Sequence, residues 1–308
     1  MTADDDVEGP SIEQRKLGLS VAASLAIAAL ALGWGWAFDS RVVLFDGIFI
    51  LLGTVMSYLA LRASKTADAG PTATYPYGRE ALIPFVVGLQ GVVTLGTTAY
   101  AMVDAVLVIL EGGSDTAAGA VAAYAAIATA AAIVVWQHLL RADPSSELLQ
   151  VEARGWRAGA ILSGVVLIGG LLGVVLVRTP ASDLVVYLDP VLLIVASLVV
   201  LPRPFSMIAM MWSELGERRA PDDVMRRVEA LVEDVRARHG LPEPDLRVTK
   251  VGRKLYVDAE FLVDVGSSDE WTLADEDAVR RDMAEGLDAL PYEVWRNVGL
   301  TTDPRLLD

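Results

Sequence analysis

The sequence predicts a membrane protein: an all-α domain of six transmembrane helices followed by a small cytoplasmic α+β domain of order αββαβ. Three observations predict it. Of the 308 residues 54% are hydrophobic, with a mean hydropathy of +0.45, which is too apolar for a soluble chain of this size. Six apolar stretches each approach the roughly 20 residues that an α-helix needs to cross the hydrocarbon layer. From Ser213 onward the chain is polar, and its apolar residues fall into helical and then alternating spacing. The organisation read from this is a cytoplasmic tail over residues 1–16, a six-span domain over 17–212 and a cytoplasmic domain over 213–308.

Composition narrows the chemistry. There is no cysteine, so disulfides, thiolate metal sites and thiol nucleophiles are excluded. Only two histidines occur, His138 and His239, which leaves little for an imidazole-rich zinc site. The net charge of −15, with only four lysines among the basic residues, argues against a nucleic acid partner and leaves membrane lipid as the surroundings. No Ser/His/Asp, Cys/His or paired-carboxylate constellation is visible, so an enzyme is not expected.

Residues 1–16 are acidic and lack the apolar stretch and small-residue cleavage site of a signal peptide, and read as a mobile tail. Span one is Leu17–Phe38, with Trp34 and Trp36 as interfacial anchors. Span two is Arg41–Arg62. The segment ASKTADAGPTATYPYGRE (63–80) mixes turn formers without a sustained period and reads as a loop. Span three runs from Leu82 to Val103 with Gln90 inside it, and residues 111–115 make an acidic turn. Span four is the alanine-rich run Ala117–Leu140, whose small residues allow close packing. Arg141–Arg157 reads as a loop leading into an amphipathic start, span five as Ala158–Val177, and span six as Leu184 to a break at Pro202–Pro204. The tail and the loops on one side carry nine basic residues against two, Arg41 and Arg178, on the other, so both termini are expected in the cytoplasm.

In the last domain, Asp222–His239 places Val224, Val228, Leu231, Val232 and Val235 at helical spacing, with Gly240 past its end. LRVTKVG and KLYVDAEFLVDV alternate around Gly252 and Arg253 as a hairpin. Ala274–Leu290 is a second amphipathic helix and EVWRNVGL a third strand. This domain has 23 acidic and 14 basic residues and a limited core, which points to self-association. With one histidine it is not expected to bind zinc tightly. Weaker oxygen coordination would fall to carboxylates such as Asp275, Glu276 and Asp277.

Span two carries the first candidate site residue. Asp46 is the only ionisable residue between Arg41 and Arg62. A carboxylate there costs at least a few kcal/mol, so it calls for a partner, a water-filled cavity or an ion path. Its position about one turn inside the span also allows it to reach the interface or the positive end of the helix dipole.

Several segments together resemble the cation diffusion facilitator family of divalent-metal/proton antiporters. They are LFDGIFILLGTVMSYLALR in span two, YPYGRE after it, SSELLQVEARGWRAGAIL before span five, YLDPVLLIVASLVVL in span six and VGRKLYVDAEFLVDV in the hairpin. The resemblance covers roughly residues 17–300 and implies a homodimer, paired through the cytoplasmic domain, that exchanges a divalent cation for protons. The family's transport site takes two ligands one turn apart on span two and two on span five, a spacing that brings each pair to one helix face. The matching positions here are Asp46, Ile50, Gly155 and Gly159, so only one ligand remains. Glu152, one turn before Gly155, and Gln90 of span three are the other candidate oxygen donors. Glu152 also reads as a solvated helix-entry charge, Gln90 as an interhelical hydrogen bond, and Gly155, Gly159 and Gly164 as a smooth packing face. His138 reads as a capping or interfacial residue and His239 as a helix-terminal cation. The expectation is a secondary cation transporter with no tightly bound cofactor, its transported divalent cation unidentified. The alternative is a non-transporting membrane protein of the same fold.

Overall fold

A computed structural model describes residues 12–142, 147–264 and 271–306. Its first helices are α1 (Ile12–Ala37), α2 (Arg41–Ala67), α3 (Leu82–Leu110), α4 (Ala118–Ala142) and α5 (Glu147–Leu176). A 3-10 turn over Ser182–Tyr187 leads into α6 (Leu188–Val200), and α7 (Pro202–Leu215) follows it. Among the described residues six helical stretches, the last of them Ser182–Leu215, are long and apolar enough to cross a membrane. The tail reading falls largely outside the described residues, and the chain is helical from Ile12.

Two boundaries differ from expectation. The Pro202–Pro204 pair does not end the helical path. Both prolines fall in the first turn of α7, where backbone N–H groups have no intrahelical acceptor, and Leu201 keeps helical dihedrals of −54° and −37°. The expected domain boundary after residue 212 therefore falls inside α7. The described part of 141–157 is helix rather than loop, except for residues 143–146, which lie outside the description. Leu149, Ala153 and Trp156 recur at helical spacing and pack with Leu139, so this stretch buries an apolar stripe before the span proper begins.

The chain divides into two compact units. The first holds the described residues up to Leu59 together with Gln90–Ser206. Its core joins Val42, Val43 and Phe45 of α2 to Ala101 and Ala105 of α3, Val121, Tyr124 and Ala128 of α4, and Leu192 and Leu193 of α6. Close helix approach comes from glycines other than the expected ones. An added Cβ at Gly169 would meet Leu192, at Gly170 the Ala122 backbone and at Gly173 the Ala118 side chain, whereas at Gly155, Gly159 and Gly164 it would meet nothing within 4 Å. The packing-face reading of those last three is thus corrected.

Polar bonds tie one end of this unit. Asp189 of α6, 2% exposed, accepts the Ser40 hydroxyl at 2.6 Å and the Arg41 N–H at 2.9 Å, satisfying donors at the start of α2 from another helix. The Arg41 guanidinium donates to both carboxylate oxygens of Asp104 on α3 at 2.5 Å.

The second unit holds Ala60–Leu89 and the described residues from Met207 onward. It contains α8 (Asp222–His239), β1 (Pro244–Val251), β2 (Lys254–Leu262), α9 (Leu273–Asp288) and β3 (Glu293–Thr301), the predicted αββαβ order. The sheet order is β1-β2-β3, with β1 and β2 antiparallel and β2 and β3 parallel. Gly252 supplies the positive φ, 62°, that a two-residue hairpin turn takes in its first position. Alternation along β2 sends Leu255, Val257, Ala259 and Phe261 into a core with Val228 of α8 and Met283 of α9.

The segment YPYGRE belongs to this unit. Tyr77 meets Trp295 edge-on at 5.9 Å, and the buried Glu80 accepts the Arg253 N–H at 3.2 Å and its guanidinium at 3.3 Å. Asp68, 2.7 Å from the same guanidinium, does most to push the Arg253 pKa up, with Glu80 adding to it, so this cation is kept charged.

The glycine distinction is testable. Gly170→Leu drives a side chain into the Ala122 backbone and lowers stability by about 1–3 kcal/mol. Gly164→Leu, with open space at its Cβ, leaves stability unchanged. Thermal midpoints of the two purified variants in mild detergent measure the difference, and equal midpoints refute it.

Candidate cation site

Two helix faces build the site. On α2, the (i, i+3, i+4) set Asp46, Phe49 and Ile50 shares one face, and on α5 Glu152, Gly155, Gly159 and Ser163 recur along another. Both faces line a single cavity of about 430 Å³, which also takes Ser24 of α1, Ala128 of α4, Val200 of α6 and Arg203 of α7. Asp46, Ile50, Gly155 and Gly159, the four positions matching the family's ligands, all line it, and so does Glu152. Gln90 lies half-buried on α3, outside the lining residues.

Asp46 has a fixed partner. Its Oδ2 accepts the Tyr124 hydroxyl at 2.5 Å, and Tyr124 is 2% exposed on α4. A carboxylate set among apolar helices is thereby stabilised by a charge-assisted hydrogen bond instead of by water. Asp46, Tyr124, Leu162, Ser163 and Val200 also border a second, smaller cavity of about 20 Å³, roughly the room of one water.

Glu152 is held by a relay. The Trp156 indole N–H donates to the Ser20 hydroxyl at 2.6 Å, and Ser20, 1% exposed, donates to the Glu152 Oε1 at 2.5 Å. The chain spans α1 and α5 and fixes the orientation of both the carboxylate and the indole.

The lining does not make a metal cage. Among the described residues no group of three or more His, Cys, Asp or Glu side chains stands together to hold a metal ion. His138 lies 2.6 Å from the Lys16 ammonium, and His239 bonds Asp282 at 2.9 Å. The acidic run on α9 is otherwise engaged. Asp275 forms a capping box with Thr272, whose hydrogen bonds hold its carboxyl below the usual range, while Glu276 and Asp277 pair with Arg280.

Sequence reasoning missed Tyr124, Ser20, Trp156 and Arg203 as site residues. Tyr124 had a readable signal: it is the one aromatic in the run AVAAYAAIATAAA, and a buried tyrosine hydroxyl needs an acceptor. The others lie near span ends, where the sequence cannot distinguish an anchor from a cavity wall.

A family model, the cation efflux transmembrane domain, matches residues 17–215, well over half of the chain. A comparison with curated proteins finds no match.

The open space at the aligned positions predicts a gain of function. Ile50→Asp, Gly155→His and Gly159→Asp together add three side chains to the wall that holds Asp46, two of them where nothing lies within 4 Å of the new Cβ. Zinc affinity of the full chain in detergent should rise by about a hundredfold or more as four-ligand coordination becomes available. Unchanged calorimetric titrations of zinc into the triple variant would refute the placement of the four positions.

Proposed function

The chain belongs to the cation efflux family and is a multi-pass cation transporter, and we propose that it exchanges its cation for a proton at Asp46. The observation that carries this reading is that Asp46 and Glu152 line one cavity together with Ile50, Gly155 and Gly159, the positions that the resemblance aligns with the family's other ligands. A carboxylate in that setting holds a proton or neutralises a bound cation, and the two compete for it. Alternate exposure of the cavity to the two sides then couples the two fluxes.

Each neighbour has a part. Tyr124 donates to Oδ2 of Asp46 and so steadies its charged form, leaving Oδ1 for the exchange. Glu152, held by Ser20, adds a second negative charge that raises the local concentration of cations. The reading sets both termini in the cytoplasm, from the nine-to-two distribution of basic residues, and pairs two copies through the C-terminal domain as the family resemblance implies. A divalent ion, the cargo of that resemblance, would meet only two carboxylates in the cavity wall and would keep most of its water shell.

Proteoliposomes with a trapped pH indicator test the coupling. A cation gradient should drive proton flux through the wild type, and Asp46→Asn, of nearly the same shape but without charge or exchangeable proton, should reduce it by about tenfold or more. Normal flux in Asp46→Asn would put the ion path elsewhere. A wild type that moves none of zinc, manganese, magnesium or small organic cations would make the chain a non-transporting member. The pairing is checked separately, by a dimer mass for the full chain in mild detergent.

A further inference from the structure

We infer that the cargo of this cavity is a monovalent organic ammonium ion and not a bare metal ion, an assignment that rests on the cation-transport reading above. Four features of the wall support it. The first is volume: about 430 Å³ is many times the size of one ion and lies in the range of small-molecule pockets, roughly 300–1,000 Å³. The glycines at 155 and 159 give this room, since they leave empty the space that ligand side chains would fill.

Charge is the second feature. Asp46 and Glu152 line the cavity against a single guanidinium, Arg203, so the wall carries one net negative charge when both carboxylates are ionised. One positive charge neutralises it. A divalent ion would leave an excess positive charge within the spans, where unbalanced charge is costly.

The third feature is the chemistry of the surface. Most of the wall is alkyl and aromatic, including Ile27, Ile50, Phe49, Leu162 and Val199. Such a surface offers no ligand to a metal ion, which needs four or more donors, but it buries the carbon skeleton of an alkylammonium ion. Lastly, Trp156 lines the cavity with its N–H anchored on Ser20, which presents a rigid aromatic group next to the Glu152 carboxylate. Aromatic rings attract ammonium groups in addition to burying their methyl and methylene groups.

The full chain in proteoliposomes, with radiolabelled tetraethylammonium as the probe and zinc and magnesium as comparators, tests this. Saturable tetraethylammonium uptake driven by a proton gradient is expected, reduced about thirtyfold in Asp46→Asn by loss of the balancing charge. Gly159→Leu, which puts a side chain into open cavity space without a clash, should reduce it about tenfold or more by filling the site. Flux driven by zinc or magnesium that Asp46→Asn removes, with no tetraethylammonium uptake, would overturn the organic-cation assignment and leave proton-coupled transport standing. Uptake that is indifferent to Gly159→Leu would also overturn it, because the probe would then not occupy this cavity. Absence of Asp46-dependent flux with every cation would overturn both readings.

Discussion

The buried carboxylates of the membrane-spanning unit are governed by one constraint: a charge away from water must find its partner inside the protein. Each ionisable side chain that matters here has one. Asp189 takes the donors at the start of α2, Arg41 takes Asp104, Asp46 takes Tyr124 and Glu152 takes Ser20. The first two join α2 to α6 and α3 and leave no oxygen facing a cavity, so they hold the bundle together. The last two bond one oxygen each of carboxylates that line a cavity, which sets them apart from the first two.

Glycine divides along the same line. Gly169, Gly170 and Gly173 bring α5 against α4 and α6, where even a methyl group would collide. Earlier on the same helix, a Cβ added at Gly159 or Gly155 would meet nothing within 4 Å. One helix therefore packs tightly over its later turns and opens a cavity over its earlier ones, using a single residue type for both. Close packing fixes where α5 sits, and that position determines what the open stretch can hold.

Much of this was legible in the sequence, and the reasons for the remainder are physical. Span lengths and the alternation along β2 are local properties, so six spans and the αββαβ order could be read directly, as could Asp46, a lone charge in an apolar run. The path through Pro202 was misread because proline is a helix breaker in the interior but harmless in a first turn, and the early start of α5 because charged residues surround its apolar stripe of Leu149, Ala153 and Trp156. The role of each glycine was out of reach: it depends on what stands opposite, which is a fact about other helices. The same holds for YPYGRE, whose Tyr77 and Glu80 make sense only beside Trp295 and Arg253, far along the chain.

The charge of the cavity wall also bears on how exchange would be driven. Asp46 and Glu152 each accept one hydroxyl, from Tyr124 and Ser20, and the Arg203 guanidinium lines the same wall. With Arg203 balancing one of the two carboxylates, a single proton or a single monovalent cation neutralises the wall. A cycle that trades one proton for one monovalent cation moves no net charge across the membrane, so the two concentration gradients set its direction and the membrane potential does not. A divalent cargo exchanged for one proton would move net charge, and the membrane potential would then act on the cycle as well. The guanidinium in the wall thus limits the charge that the cavity exchanges.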